Sequence, residues 1–246
     1  MRILALDTAT RATSVAVTDD GPPRRELEAR DDPPPGVRPR HATRLLALTA
    51  DVLGQAGVGW ADIDLIVVGV GPGTFTGLRI GVATARALAA ARGIPLTGTS
   101  TLHSLALNAS RDAAGGDGIE AVVAVLDARR GEVFAAGWRR DEVARTGPAA
   151  APLLAPGVHA PQALAALVAG LRETPMAIGD GALAFRAVLQ RSGAQVPEDH
   201  SELHRVSAIN HCKLARTLPG GAPETVLPHY LRLPDAEIAR RAASTP

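Results

Sequence analysis

Short apolar runs alternate with amphipathic stretches along most of this 246-residue chain. Runs of strand-forming residues predict β-strands at 3–7, 14–18, 25–30, 63–70, 96–99, 121–126, 132–138 and 176–178. Apolar residues at helical spacing predict helices at 42–53, 76–91, 101–110, 162–171, 183–191 and 206–218. The proline-rich segment 31–40 predicts a loop, because proline lacks a backbone donor, and the four prolines of 146–161 predict a mostly irregular segment. Strands that alternate with helices are typical of an α/β fold.

The chain also contains a weak internal repeat. Residues 3–7 (ILALD) lead through a polar turn into 14–17 (SVAV), and residues 123–127 (VAVLD) lead through a turn into 132–135 (EVFA). Each copy predicts an apolar strand that ends in an aspartate, followed by an antiparallel return strand. The repeat predicts a duplicated actin-like fold, the architecture of sugar kinases and Hsp70, in which two lobes face each other across a cleft. Chance similarity of two short strands is the alternative.

Composition narrows the classes of function. Hydrophobic residues make up 46% of the chain, enough for a sizeable core, but no apolar run approaches the ~20 residues that span a bilayer. The net charge of +1 predicts no general attraction to nucleic acid, and 2% aromatic residues argue against a base-stacking surface. With Cys212 as its one cysteine, the chain has no internal disulfide, and we expect a cytoplasmic protein without membrane association. The polar, glycine-rich segment 112–118 predicts a boundary between lobes 1–111 and 112–246.

The glycine-rich segment 69–81 (GVGPGTFTGLRIG) joins a predicted buried strand to a predicted helix. One interpretation is a phosphate cradle at a helix N-terminus. A Walker A loop is excluded, because no lysine precedes Lys213. We favour the other interpretation, close packing, since Gly77, Gly81, Thr84 and Ala85 would give one helix face small side chains that allow a second helix to approach.

Asp7 and Asp127 end the two repeated strands, where the aspartates of an actin-like ATPase order Mg²⁺ and its water. In this chain the first turn carries Ala9 in place of a glycine, and the bulky Arg129 and Arg130 of the second turn would crowd a phosphate. We therefore predict a vestigial nucleotide cleft without hydrolysis; turn-capping is the simpler role for both aspartates. The residues assigned to this cleft are Asp7, Thr8, Asp127, Gly179 and Gly181.

Other reactive residues are assigned to structure. His200 and His204 have helical spacing, but the glutamate of a zinc protease motif is missing, so the pattern predicts a solvated pair rather than a metal site. Cys212 lies in an apolar segment and is predicted to pack rather than react. We therefore expect neither a metal nor a cofactor.

Several segments together resemble the TsaB (YeaZ) family of the bacterial tRNA threonylcarbamoyladenosine modification machinery. The most specific of them is GPGTFTGLRIG at 71–81. The others are ILALDTAT at 3–10, HATRLL at 41–46, LDARRGEV at 126–133, GDGA at 179–182 and YLR at 230–232.

The resemblance implies a subunit without catalytic activity of its own. Members of that family pair with a larger catalytic paralogue, TsaD, and work with the ATPase TsaE. Together they transfer a threonylcarbamoyl group onto the adenosine beside the anticodon (position 37) of tRNAs that read ANN codons. The implied partners are thus a TsaD-like paralogue, a TsaE-like ATPase and, through the complex, tRNA; the chain alone is expected to form a homodimer. The paralogue's His-x-x-x-His metal motif has no counterpart here, where His103 stands alone.

The family's dimer surface comes from two helices of the first lobe, which correspond to residues 41–53 and 76–91. We expect Gly81→Leu to leave the fold intact and to block the partner. The implied interface residues are His41, Leu45, Leu48, Val52, Thr76, Gly77, Ile80, Gly81, Thr84, Ala85 and Leu88.

Two other functions compete with this interpretation. A stand-alone actin-like ATPase or small-molecule kinase would need a glycine at position 9 and a working second phosphate loop. A glycoprotease would need a nucleophile–base pair or a metal cluster, and the sequence predicts neither. Assays of ATP turnover and peptide cleavage distinguish the three functions.

Overall fold

The strands of this protein belong to two sheets, one in each half of the chain. The computed structural model describes residues 1–21, 25–34, 36–111 and 118–232. In these residues the first sheet contains β1 (Arg2–Asp7), β2 (Thr13–Asp19), β3 (Arg25–Asp31), β4 (Leu65–Gly71) and β5 (Leu96–Ser100). The second sheet contains β6 (Ala121–Arg129), β7 (Glu132–Arg139), β8 (Pro152–His159) and β9 (Pro175–Ile178).

Helices connect and cover the strands. The described α-helices are α1 (His41–Ala56), α2 (Phe75–Arg92), α3 (Thr101–Arg111), α4 (Arg140–Thr146), α5 (Pro161–Ala169), α6 (Asp180–Ala184), α7 (Arg186–Arg191) and α8 (Ala208–Ala215). Short 3-10 helices lie at Trp60–Asp62, Gly147–Ala149, Glu202–His204 and Pro223–Thr225. Across the described ranges, no helix combines the length and the apolar character needed to cross a membrane.

Both sheets are built on the same plan. The first has the strand order β3-β2-β1-β4-β5 and the second the order β8-β7-β6-β9. In each, three consecutive strands form an antiparallel meander, and the next strand pairs parallel with the first strand of that meander. The predicted α/β class and the duplicated actin-like fold are therefore confirmed.

Some element predictions were wrong. The segment 146–161 is not mostly irregular, because Pro152–His159 forms β8, which pairs antiparallel with β7. Pro152 and Pro156 are tolerated there because β8 is an edge strand, where a missing backbone donor leaves no neighbour unpaired. The single helix predicted at 183–191 is divided at Phe185 into α6 and α7, with α6 beginning earlier than expected.

The two halves exchange one helix each. Helix α3, from the first half, packs Leu102 and Leu105 into the core of the second sheet. Helix α8, from the second half, packs Ile209 and Cys212 against strands of the first sheet, with Ile3 in the same cluster. The division into lobes 1–111 and 112–246 stays a prediction, because residues 112–117 lie outside the described ranges.

A carboxylate from β3 fixes α8 to the first sheet. Glu28 Oε1 accepts the Ala208 backbone N–H at 2.7 Å, and Glu28 Oε2 accepts the Ser207 hydroxyl at 2.9 Å. Because Ala208 begins α8, this negative charge lies at the positive end of the helix dipole. The contact joins residues that are about 180 positions apart in the chain. It helps to position α8 next to the end of β1.

Candidate functional site

Asp7, at the end of β1, is sealed inside the protein. It is 1% exposed, and its Oδ2 lies 3.0 Å from Nε2 of His211 on α8. Its Oδ1 accepts the Ala9 backbone N–H at 3.1 Å. The other ring nitrogen of His211, Nδ1, lies 2.7 Å from the Thr99 hydroxyl. Both carboxylate oxygens thus have protein partners, and neither is available to order Mg²⁺; the assignment of Asp7 to a vestigial nucleotide cleft stays a prediction.

The turn after Asp7 packs directly on α2. The Thr8 hydroxyl donates to the Gly77 carbonyl at 2.7 Å, and the Thr74 backbone N–H donates to the Ala9 carbonyl at 2.7 Å. A Cβ added to Gly77 would lie under 3.0 Å from the Thr8 carbonyl oxygen, and one added to Gly81 would lie under 3.0 Å from the Thr8 hydroxyl. The turn and α2 are therefore in direct contact, without room for a side chain at either glycine.

This contact corrects the prediction for the small-residue face of α2. Gly77, Gly81 and Ala85 are buried against their own lobe, so they cannot present a smooth surface to another molecule. For the same reason we expect Gly81→Leu to destabilise the fold, in place of the sequence-based expectation that it leaves the fold intact.

Several other predicted interface residues also lie inside the first lobe. Leu45, Leu48 and Val52 are core residues. His41 is buried with Nδ1 2.9 Å from the Thr13 hydroxyl, and burial lowers the pKa of its imidazole. These four residues cannot make direct contact with a partner.

A different surface remains on the two helices, and we refer to it as the outer face. The predicted interface residues Thr76, Ile80, Thr84 and Leu88 reach it from α2 and are exposed or half-buried. They are interleaved with exposed alanines, and α1 adds Leu46, which is 54% exposed. The surface comprises Thr76, Ile80, Ala83, Thr84, Ala87 and Leu88 of α2 and Ala42, Leu46, Ala47 and Ala50 of α1. Its use as an interface stays a prediction.

The turn after Asp127 is closed by its own residues. Asp127 Oδ1 accepts the Arg129 backbone N–H at 2.8 Å, and its Oδ2 pairs with the Arg129 guanidinium at 3.0 Å. The Asp127 backbone N–H donates to Asp180 Oδ1 at 3.0 Å. Burial raises the pKa of the Asp180 carboxyl. Asp127 thus caps its turn, which is the simpler of its two predicted roles.

Gly179 and Gly181 bring α6 close to the end of β6. Gly179 has a φ of +114°, and a Cβ there would collide with the Val125 carbonyl; a Cβ on Gly181 would lie 2.7 Å from the Leu126 carbonyl carbon. The Gly179 N–H donates to Nδ1 of His204 at 3.1 Å. These glycines serve close packing, and their assignment to a vestigial nucleotide cleft stays a prediction.

His204 is not part of a solvated pair, which corrects that prediction. It is buried, its Nε2 lies 3.1 Å from the Pro197 carbonyl, and burial lowers the pKa of its ring. Cys212 is buried and its pKa is raised to about 12 by burial, consistent with packing. Within the described ranges, no three His, Cys, Asp or Glu side chains are grouped in a way that could hold a metal ion.

His211 is the site residue that the sequence interpretation missed. It is fully buried between Asp7 and Thr99, which lie 204 and 112 positions away along the chain. Its apolar neighbours in α8, Ile209 and Cys212, indicate a buried position but not its partners. Only the docking of α8 onto the first sheet identifies them.

Comparison with known proteins agrees with this architecture. Residues 32–239 match the family model described as TsaD, tRNA N6-adenosine threonylcarbamoyltransferase. The chain is 42% identical to TsaB of Escherichia coli over 143 residues, which span 58% of this chain and 57% of that protein. It is 35% identical over 239 residues to a protein of Mycobacterium tuberculosis, covering 96% of this chain and 93% of the relative.

A solved structure extends the likeness over the whole fold. YeaZ from Pseudomonas aeruginosa superposes with a TM-score of 0.74 at 30% identity, covering 94% of this chain and 99% of that one. Both lobes therefore correspond, although the match to the Escherichia coli protein spans little more than half the length of either chain. The chain belongs to the TsaB (YeaZ) family, within the wider group that the threonylcarbamoyltransferase model describes.

Proposed function

We propose that this chain acts in the synthesis of threonylcarbamoyladenosine in tRNA as a subunit without catalytic activity of its own. It pairs with a TsaD-like paralogue, which carries the chemistry, and a TsaE-like ATPase completes the complex. The observation that carries the proposal is the sealed first turn, where His211 and the Ala9 backbone occupy both oxygens of Asp7. An actin-like ATPase needs that carboxylate available to order Mg²⁺ and water.

The outer face of α1 and α2 supports the pairing part of the proposal. It combines small apolar side chains with the exposed Leu46, and such a surface gains free energy when a partner covers it. In the proposed complex the paralogue covers this face. A second copy of the chain covers it when the paralogue is absent, so sedimentation of the isolated protein should show a dimer.

The isolated chain is expected to release no phosphate from ATP above the buffer background. The reason is the absence of a free carboxylate at the first turn, together with a second turn closed by Arg129. Phosphate release measured with and without Mg²⁺ tests this expectation. Turnover that disappears in Asp7→Asn would favour the stand-alone ATPase or kinase instead.

Ala83→Arg is expected to abolish binding of the TsaD-like paralogue and formation of the modified nucleoside. Ala83 is exposed on the outer face, so arginine fits the isolated chain but places a bulky cation in the interface. The measurements are co-purification with the paralogue and nucleoside analysis of tRNA in the reconstituted system. We expect a loss of at least tenfold in both, with the melting temperature unchanged.

Ala166→Arg is the matched control. Ala166 is exposed on α5 in the second half, away from α1 and α2. This variant should bind and modify tRNA like the wild type. Equal behaviour of the two variants would show that the outer face is not the interface.

A further inference from the structure

One cavity in the described part of the chain differs from the predicted nucleotide cleft. It measures about 490 Å³ and is formed by residues 73–76 around the start of α2, the β6–β7 hairpin (127–130), Phe134 and the C-terminal segment 229–232. Of the residues predicted for the cleft, Asp127 alone lines it. Small-molecule sites typically measure about 300–1,000 Å³, so this cavity can hold a ligand of the size of a mononucleotide.

Aromatic side chains are concentrated in this cavity. The chain has three Phe, two Trp and one Tyr, and three of these rings, Phe75, Phe134 and Tyr230, line it. The low aromatic content therefore does not argue against stacking here, because the rings are gathered at one place. Aromatic walls favour a ligand with a flat ring.

Tyr230 is held in a fixed position. Its ring centroid lies 5.1 Å from that of Phe75, and its hydroxyl accepts a hydrogen bond from Arg79 Nε at 3.2 Å. The Arg79 guanidinium in turn lies over the Phe75 ring, 3.8 Å from its centroid. The backbone N–H of the preceding residue, His229, donates to the Val70 carbonyl at 2.7 Å. A pre-positioned ring loses little freedom when a ligand binds against it.

The cavity is also rich in guanidinium groups. Arg129, Arg130 and Arg232 line it, and Asp127 is the one acidic residue among the lining residues. Arg129 is paired with Asp127, and Arg232 with Glu132 at 3.1 Å, but a guanidinium carries five N–H donors and one ion pair leaves others available. Arginine donors in this number suit a phosphate group.

The backbone of the hairpin strengthens the case for the arginines. Arg129 and Arg130 have φ values of +66° and +55°, in the left-handed region that favours glycine and asparagine. Arginine is less stable than glycine or asparagine in this backbone conformation, so the conformation of the turn does not explain why two arginines occupy it. Their side-chain chemistry does, if the cavity receives an anion.

We propose that this cavity binds one nucleotide unit, with its base against the aromatic wall and its phosphate on Arg129 and Arg130. The site goes beyond the proposed function, which assigns no ligand to this chain. It also replaces the sequence-based expectation that Arg129 and Arg130 would crowd a phosphate, because both residues line a cavity. Two sources share this chemistry: a free mononucleotide, or one nucleotide of a single-stranded RNA segment.

The double variant Arg129→Asn/Arg130→Gly tests the site without unfolding the protein. Asparagine and glycine suit positive φ better than arginine, so we expect the melting temperature to rise. Calorimetric titration of the full chain with AMP at low salt should show affinity at least tenfold weaker than in the wild type. A rise in stability together with a loss of binding cannot come from general damage to the fold.

Arg172→Ala/Arg191→Ala is the control for the loss of two surface charges, because Arg191 is also exposed and does not line the cavity. Arg172 is exposed and lies shortly before β9. Pro175 of β9 pairs with Ala121 at the start of β6, whereas the cavity is formed by residues at the opposite end of β6. This variant should bind AMP within twofold of the wild type. An equal loss of AMP affinity in both variants would show that net charge alone causes the effect, and it would overturn the proposal.

Four probes separate the possible ligands: inorganic phosphate, adenosine, AMP and a 5′-phosphorylated RNA pentamer. The proposal requires AMP to bind at least tenfold more tightly than phosphate or adenosine. A pentamer tighter than AMP identifies RNA as the source, and AMP tighter than the pentamer identifies the free nucleotide. Phosphate as tight as AMP, no AMP binding up to millimolar concentration, or unchanged affinity in the double variant would overturn it. These titrations need neither paralogue nor tRNA modification, so their outcome is independent of the proposed function.

Discussion

Replacing Gly77 with alanine is expected to lower the free energy of unfolding by about 2 kcal/mol. The added Cβ would lie under 3.0 Å from the Thr8 backbone carbonyl, which cannot move without displacing the turn after β1. Overpacking costs about 1–3 kcal/mol, and we expect the upper end of this range because the added Cβ meets backbone. Alanine offsets about 1 kcal/mol of this cost through its higher helix propensity, which leaves the net loss of about 2 kcal/mol. Gly81→Leu should cost at least as much, because its larger side chain meets Thr8 as well. Urea denaturation followed by circular dichroism measures both.

Gly54→Ala is the control for helix propensity alone. Gly54 lies in α1 with nothing within 4 Å of an added Cβ, so alanine should stabilise the protein by about 0.5–1 kcal/mol. Opposite signs for Gly54→Ala and Gly77→Ala are the expected signature. If Gly77→Ala were instead as stable as the wild type and failed to bind the paralogue, the glycine face would be an interface after all.

Acidification from pH 6.5 to about pH 4 is expected to remove about 3 kcal/mol of stability through His103 alone. The ring is buried and stacked on Trp138 at 4.6 Å between centroids, and burial lowers its pKa from 6.5 to about 4. The folded state therefore holds the ring neutral, while the unfolded chain takes up a proton below pH 6.5. Its contribution is complete above pH 6.5 and is lost as the pH falls to about 4, at about 1.4 kcal/mol per pH unit.

His103→Phe isolates this contribution. Phenylalanine keeps an aromatic ring on Trp138 and does not titrate, but it loses the hydrogen bond between the imidazole and the Gly147 backbone. The test therefore compares how the stability of each protein changes with pH, not their absolute stabilities. We expect the variant to lose about 3 kcal/mol less than the wild type between pH 6.5 and pH 4, measured by urea denaturation at each pH. Parallel stability curves for the two proteins would show that His103 takes up its proton over the same pH range in the folded and unfolded states, and would contradict the lowered pKa.

Local patterns in the sequence were sufficient for much of the architecture. Strand β1, ending at Asp7, and strand β6, which contains Asp127, both follow from short apolar runs, and the repeated strand–turn–strand correctly predicted two sheets of one topology. These features depend on neighbours a few residues apart, which is the range over which hydrophobic periodicity carries information. The segment GPGTFTGLRIG likewise identified the family, because it is specific as a string of residues.

The tertiary structure decided what those elements face. Small residues on α2 predict close packing, but not whether the partner is another molecule or Thr8 of the same lobe. His211 and Asp7 are 204 positions apart, and the rings of Phe75 and Tyr230 are also far apart in the chain, so no periodicity relates either pair. Such contacts arise when separate elements pack into one core, a choice made by the burial and hydrogen bonding of the whole chain. The sequence by itself therefore determined the elements, the duplication and the family, whereas only the packed structure decided which faces are internal, which carboxylate is sealed and where the aromatic rings meet.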